Sequence, residues 1–330
     1  MNVLSALIAV LVVVALAIVG FQVESLRGLI GVIVPYAAIS AFLLGFIFRV
    51  FRWAGSAVPF RITTTCGQQK SLPWIKASWL ESPYTRLGTI ARMALEVLLF
   101  RSLFRNTKME LREGPRLVYG EEKLLWLAAL AFHWSFLIIF LRHLRFFMEP
   151  VPAFALAIHT LDGFFQIGTP ELLLTNVFIL GALGFLLLRR LQNPQVRFIS
   201  LFTDYFALFL IIGLAVSGVW MRYFSKVDLL SIKEFAMGLV TFRPVTPPPV
   251  GILFYIHLLL LSALIAYFPF SKLMHMAGVF LSPTRNLANT NRAVRHVNPW
   301  NCPVKVHTYE EWEEEFRDKI KAAGLPLEKE

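Results

Sequence analysis

Apolar residues in this chain fall in long unbroken runs, not in the alternating or striped patterns of half-buried elements. Six runs can cross about 30 Å of hydrocarbon as helices: 3–20, 29–48, 124–147, 171–189, 204–221 and 250–270. The pattern predicts an all-α fold, an integral membrane helical bundle of about six transmembrane helices. A further apolar stretch, VPAFALAIHTLDGFFQIGTPE (151–171), holds His159, Asp162, Gly163 and Gly168 between Pro152 and Pro170. Those residues predict a short helix or re-entrant turn at the membrane surface instead of a span. The first run has no basic segment before it and no small-residue cleavage site after it, so it reads as a retained anchor.

The same pattern divides the chain into four parts. Residues 1–50 hold two N-terminal transmembrane helices without histidine. Residues 51–122 form a loop containing an amphipathic helix, in which Arg86, Arg92, Arg101 and Arg105 recur among aliphatic residues over 85–105; such a helix suits the membrane interface. Residues 123–281 carry the remaining four spans. Residues 282–330 form a polar tail whose segment 308–323 runs from acidic to basic, as a helix dipole favours, and which reads as a docking arm for a soluble partner.

Composition agrees with a bilayer. The 330 residues are 57% hydrophobic and 16% charged, against about a quarter charged in a soluble domain. The net charge of +11 follows topology: 49–123 alone carries thirteen Lys and Arg, whereas 21–28 carries only Arg27. By the positive-inside bias, 49–123, 189–203 and the tail are cytoplasmic, both termini are inside, and the protein lies in the cell membrane. Loops 21–28, 142–170 and 222–249 then face outward. No basic module with interleaved aromatics points to nucleic acid. Cys66 and Cys302 are isolated thiols in cytoplasmic segments, with neither a CxxC nor a haem-attachment CxxCH. No phosphate-binding or nucleophile motif is present, so the chemistry belongs to a cofactor.

Four histidines lie in apolar segments. His133 and His143 are ten residues apart, and His257 and His275 eighteen. Taken as uninterrupted helix, eighteen residues return to the same azimuth and ten fall about 80° short of it, with rises of about 27 Å and about 15 Å. Pro269 can kink the last helix and absorb part of that mismatch. An imidazole in hydrocarbon needs a partner, and neutral imidazole is an axial ligand for haem iron. The helices run antiparallel, so the expected axial pairs are His133/His275 near the cytoplasm and His143/His257 near the outside, serving two b haems about 20 Å apart. Arg142 and Arg145 can pair with haem propionates or act as interfacial snorkelling residues. A quinol site is expected at the outer haem, with His159 as proton acceptor and Asp162 orienting it.

The two histidine pairs resemble those of the gamma subunit of respiratory nitrate reductase, a membrane cytochrome b with two b haems, over roughly 123–280. The stretches RWAGSAVPFRITTTCGQQKSLPWIK (52–76) and NPWNCPV (298–304) resemble the M subunit of the Dsr membrane complex of sulfate- and sulfite-reducing organisms, which is similar to the membrane cytochrome of heterodisulfide reductase. This resemblance implies a dihaem subunit that reacts with menaquinone or menaquinol. It also implies a cytoplasmic iron–sulfur subunit of the heterodisulfide-reductase type, a periplasmic multihaem cytochrome c, a periplasmic iron–sulfur protein and a second quinone-interacting membrane subunit. The alternative is a transmembrane electron conduit between periplasmic cytochrome c and the cytoplasmic protein, without its own quinone site.

Overall fold

The computed structural model of the protein describes residues 2–56, 67–114, 116–245, 250–292 and 306–328. Cys66, Cys302 and the 298–304 stretch lie outside them. Among the described residues six helices are long and apolar enough to cross a membrane: Asn2–Gln22, Glu24–Ala54, Lys123–Phe146, Leu174–Gln192, Phe202–Ser225 and Ile252–Phe270. They are the first to sixth spans, and the chain is a multi-pass membrane protein of the all-α class. The second span starts earlier than its apolar run, because Glu24–Gly28 joins it through a π-helical turn at Leu29–Ile33. The fourth starts at Leu174, later than the expected 171, where Asp162 takes up the free Thr175 N–H at the helix start. The stretch after the third span forms a short helix, Ala153–Asp162, that does not span.

The third span packs on the fourth, the fourth and sixth pack on the fifth, and the first lies against both the fifth and the sixth. Val10, Ile179, Leu183, Leu210, Ile211, Leu260 and Leu264 tie four of these spans into one core. A second cluster, Ile30, Phe235, Phe254 and Tyr255, seats the start of the second span and the Leu229–Val240 helix on the sixth. Lipid supplies no hydrophobic drive between helices, so close approach at small residues matters. A Cβ on Gly45 would lie 2.8 Å from Pro269 Cγ, which is too close.

Contacts at the span ends sort the loops by face. Asn2 donates to Ser200 O at 3.2 Å, Arg189 pairs with Glu122 at 2.9 Å, and Lys272 pairs with Asp204 at 2.8 Å. The N-terminus, the 189–203 turn and the segment after 270 therefore share one face with the arginine-rich insertion. On the opposite face Arg142 meets Asp162, Tyr223 meets Glu171, and Lys233 meets Glu149.

Three features differ from the sequence expectation. Thr107–Arg112 and Arg116–Glu121 form an antiparallel hairpin with Met109 opposite Tyr119 and Leu111 opposite Leu117, and its turn contains Gly114 at φ +82°. The start of the tail packs on the insertion, a contact not expected from its polar sequence. Asn289 N donates to Pro83 O at 2.6 Å, and Arg285 pairs with Glu96 of the Arg86–Leu99 helix at 2.9 Å. That helix buries Arg92 and Glu96 and exposes Leu87 and Ile90. Its polar face is turned inward and its apolar face outward, the arrangement of a helix lying in lipid.

The third difference bears on the histidines. The sixth span stops being α-helical at Tyr267. Two 3₁₀ turns, Phe268–Phe270 and Lys272–Met274, flank Ser271 in extended conformation, and a new helix begins at His275. Pro269 cannot donate a helical hydrogen bond, and Arg49 Nε from the second span covers the Pro269 carbonyl at 3.2 Å, as a freed backbone acceptor in a membrane requires. His257 and His275 are therefore not on one continuous helix, and their shared azimuth does not follow from eighteen residues of rise.

Candidate functional site

The break in the sixth span sets His275 beside the middle of the third. The rings of His133 and His275 stand 6.0 Å apart, centre to centre, and nearly perpendicular. A metal–imidazole bond is about 2 Å, so two imidazoles on opposite sides of one metal have ring centres about 6 Å apart. The spacing suits a pair of axial ligands. Phe100 closes the other side of His133 at 4.8 Å between ring centres. It sits there because the Arg86–Leu99 helix ends with Phe100 in the left-handed conformation. The open carbonyls of Leu98 and Leu99 accept from the indoles of Trp134 and Trp126 at 3.0 and 2.8 Å.

His143, at the end of the third span, and His257, near the start of the sixth, meet at the opposite face, within electrostatic reach of each other. The fifth span supports this second pair. Ser217 Oγ lies 2.9 Å from His257 Nδ1, and a Cβ on Gly218 would touch His257 Cε1 at 3.4 Å. Sequence reading missed both residues; the signal was a Ser-Gly pair inside an otherwise aliphatic run, since small residues in a span mark close contact.

All four histidines share one feature of hydrogen bonding. Nδ1 of His133 is 2.8 Å from Ala129 O, Nδ1 of His143 is 2.7 Å from Ile139 O, and Nδ1 of His275 is 2.8 Å from Lys272 O. A carbonyl only accepts, so Nδ1 carries the proton in each neutral ring. Ser217 Oγ donates to Leu214 O at 3.1 Å, which leaves its lone pair to accept from His257 Nδ1. Each ring therefore presents the Nε2 lone pair, the tautomer of a metal-ligating imidazole with its other nitrogen anchored. The residues fit an axially ligated metal macrocycle. Among the described residues no cluster of three or more His, Cys, Asp or Glu could hold a bare metal ion.

Beside the His143/His257 pair lies a polar cluster. Arg142 and Asp162 form a buried ion pair at 2.9 Å, and Asp162 also accepts from Thr175 N at 2.8 Å and Thr175 Oγ1 at 2.6 Å. Asp162 is thus turned toward the start of the fourth span and does not orient His159. The partner of His159 is Glu171, with Nε2 and Oε1 2.9 Å apart. Arg222 reaches Glu171 Oε1 at 3.7 Å and its backbone O at 3.3 Å. Tyr223 accepts from Leu173 N and from Asn176 Nδ2, both at 3.0 Å. Burial, reinforced by Arg145, Arg222 and Arg142, holds the His159 imidazole below its ordinary range; Glu171 works the other way. Glu171, Arg222 and Tyr223 were not foreseen. Glu171 was read as the first residue of a span, and the π-helical turn Met221–Ser225 that carries Arg222 and Tyr223 to it leaves no sequence signature.

The nitrate reductase gamma subunit family matches residues 82–296, a range that contains all four histidines and the whole polar cluster. The chain is similar to the Hdr-like menaquinol oxidoreductase cytochrome b-like subunit of Archaeoglobus fulgidus, at 46% identity over 278 residues, covering 82% of this chain and 83% of that one. The protein of the same description from Archaeoglobus profundus is 44% identical over 274 residues, 81% of each chain.

Proposed function

The chain belongs to the nitrate reductase gamma subunit family, and from that premise we propose that it is the dihaem cytochrome b subunit of a membrane quinol oxidoreductase. His133 and His275 hold one b haem, and His143 and His257 the other. Bound haem supplies reversible one-electron chemistry at each site. The protein's part is to present four anchored Nε2 lone pairs and to pack apolar side chains around the rings.

The observation that carries this reading is the uniform anchoring of Nδ1 on all four imidazoles, together with the 6.0 Å separation of the His133 and His275 rings. Haem ligation uses all four groups at once. A structural anchor has no need of four histidines in one tautomer inside apolar helices, where each polar group is costly.

The basic face is cytoplasmic by its excess of Lys and Arg. A haem held by His133 and His275 would supply electron transfer on that side, where the partner is a cytoplasmic iron–sulfur subunit of the heterodisulfide-reductase type; the Hdr-like description of the relatives supports a partner of that class. Menaquinol is the donor named for those relatives and is the substrate of this chain. It is oxidised at the outer polar cluster, where His159 accepts a proton next to the His143/His257 haem, and Arg142 and Arg145 lie beside the same ligand. The resemblance of 52–76 and 298–304 to the Dsr M subunit supports a role for the complex in sulfite or sulfate reduction. There its companions are a periplasmic multihaem cytochrome c, a periplasmic iron–sulfur protein and a second quinone-interacting membrane subunit.

Anaerobic mixing of the complex with a menaquinol analogue tests this reading. Reduction of both haems is expected, at a rate that falls in His159→Ala. If quinol reduces neither haem while a reduced cytochrome c does, the chain is an electron conduit without a quinone site.

A further inference from the structure

Resting on the quinol reading above, we infer that Glu171 discharges His159 during turnover, so that one imidazole serves both protons of a quinol. The two side chains meet through His159 Nε2 and Glu171 Oε1 at 2.9 Å, and each is about one-third exposed, at 27% and 33%. Both are open to a substrate, in contrast to Asp162, whose side chain is 3% exposed and occupied by Arg142 and Thr175.

The loop is shaped around this carboxylate. A Cβ on Gly163, the residue that ends the His159 helix, would stand 2.8 Å from Glu171 Cδ and 3.0 Å from Oε2. Only glycine leaves the carboxylate that space. Arg222 approaches the same carboxylate oxygen, Oε1, and also contacts the backbone oxygen of residue 171.

Oxidation of a quinol breaks two O–H bonds and releases two electrons, which leave one at a time to haem iron as acceptor. A neutral imidazole whose Nε2–H donates to Glu171 has its lone pair on Nδ1, and it is Nδ1 that takes a proton from the first hydroxyl. The resulting imidazolium gives its Nε2 proton to the Glu171 carboxylate, which releases it to water at the outer face. The ring is then neutral with its proton on Nδ1; proton exchange with water at this partly exposed side chain restores the Nε2–H tautomer, and the freed Nδ1 takes the second proton. Quinol becomes quinone, and both protons leave on the side away from the basic face.

The charged groups acting on His159 are Glu171, Arg142, Arg145 and Arg222, and of these only Glu171 raises its proton affinity. With Glu171→Gln the imidazole becomes a weaker base that stays neutral to lower pH. The acid limb of the rate profile must therefore move to lower pH while the plateau falls.

The test uses membranes carrying the whole complex and variants Glu171→Gln, Glu171→Asp and His159→Ala, each checked for an unchanged dithionite-reduced haem spectrum. Quinol-dependent haem reduction is followed across pH, and the affinity of a redox-inert hydroxyquinoline N-oxide is followed in parallel by fluorescence quenching. Glu171→Gln is expected to slow reduction by at least about ten-fold, within the usual range for a proton-transfer group. The acid limb and the pH dependence of inhibitor affinity should both move down, and Glu171→Asp should recover part of each. A wild-type rate and limb in Glu171→Gln, with His159→Ala inactive, overturns the role of Glu171 and leaves the quinol site in place. Wild-type behaviour in both variants overturns the outer site itself. Should Glu171→Gln lose its haems, Gly163→Ala decides, because it displaces the carboxylate without removing it: an unmoved limb there overturns the inference.

Discussion

Ser217 of the fifth span holds His257 of the sixth through a 2.9 Å contact between Oγ and Nδ1. The serine hydroxyl points its own proton at Leu214 O, so it acts on the imidazole as an acceptor and fixes the tautomer that leaves Nε2 bare. An acceptor on the distal nitrogen also raises ligand basicity, which favours the oxidised metal.

Ser217→Ala is therefore expected to weaken retention of the haem served by His257 by roughly 10–100-fold and to raise its midpoint potential. Potentiometric titration of the visible bands, with haem retention measured under dilution, reads both. An unchanged midpoint for both haems would show that the hydroxyl contributes packing alone.

The close approach of the second and sixth spans makes a separate prediction. Gly45 has no room for a Cβ against Pro269, and the same contact places Arg49 over the Pro269 carbonyl at the break that leads to His275. Gly45→Ala should destabilise the protein by about 1–3 kcal/mol through overpacking, and the loss of haem should fall on the His133/His275 site first. Thermal unfolding followed in the haem band checks this; equal loss from both sites contradicts it.

Asp162 tests the polar cluster from the structural side. Its ion pair with Arg142 is buried, with side chains 3% and 9% exposed. Removing one partner of such a pair costs about 3–5 kcal/mol, because the other charge is left buried. Asp162→Ala should thus lower the unfolding temperature more than the Arg142→Met/Asp162→Ala double variant does. If Asp162→Ala keeps wild-type stability but loses quinol-dependent reduction, the carboxylate acts in proton transfer after all.

The six spans were legible because a bilayer demands uninterrupted apolar length; local structure moved some of their ends, as at Leu174 and Glu24. The four histidines stood out for the same reason: an imidazole in hydrocarbon requires a partner. Their azimuths were not legible, since a helical wheel assumes a continuous helix and Pro269 and Ser271 interrupt it. Which carboxylate faces His159 depends on the path of residues 163–171, and the sequence reading names only the nearby Asp162. Ser217 lies on a span with no histidine, so its role appears only once the fifth and sixth spans are packed. The 85–105 segment likewise reads only as an interfacial amphipathic helix until Phe100 is seen against His133, and the family match, which begins at residue 82, includes that part of it.

Four imidazoles holding two haems as His133/His275 and His143/His257 dictate which haem each histidine variant loses. The most direct measurement is haem content per chain, by pyridine haemochrome together with low-temperature spectra, in the four single His→Ala variants. Two b haems are expected in the parent protein and one in each variant. His133→Ala and His275→Ala should lose the same spectral component, and His143→Ala and His257→Ala the other. Loss of different components within either pair, or retention of both haems in any variant, would contradict it.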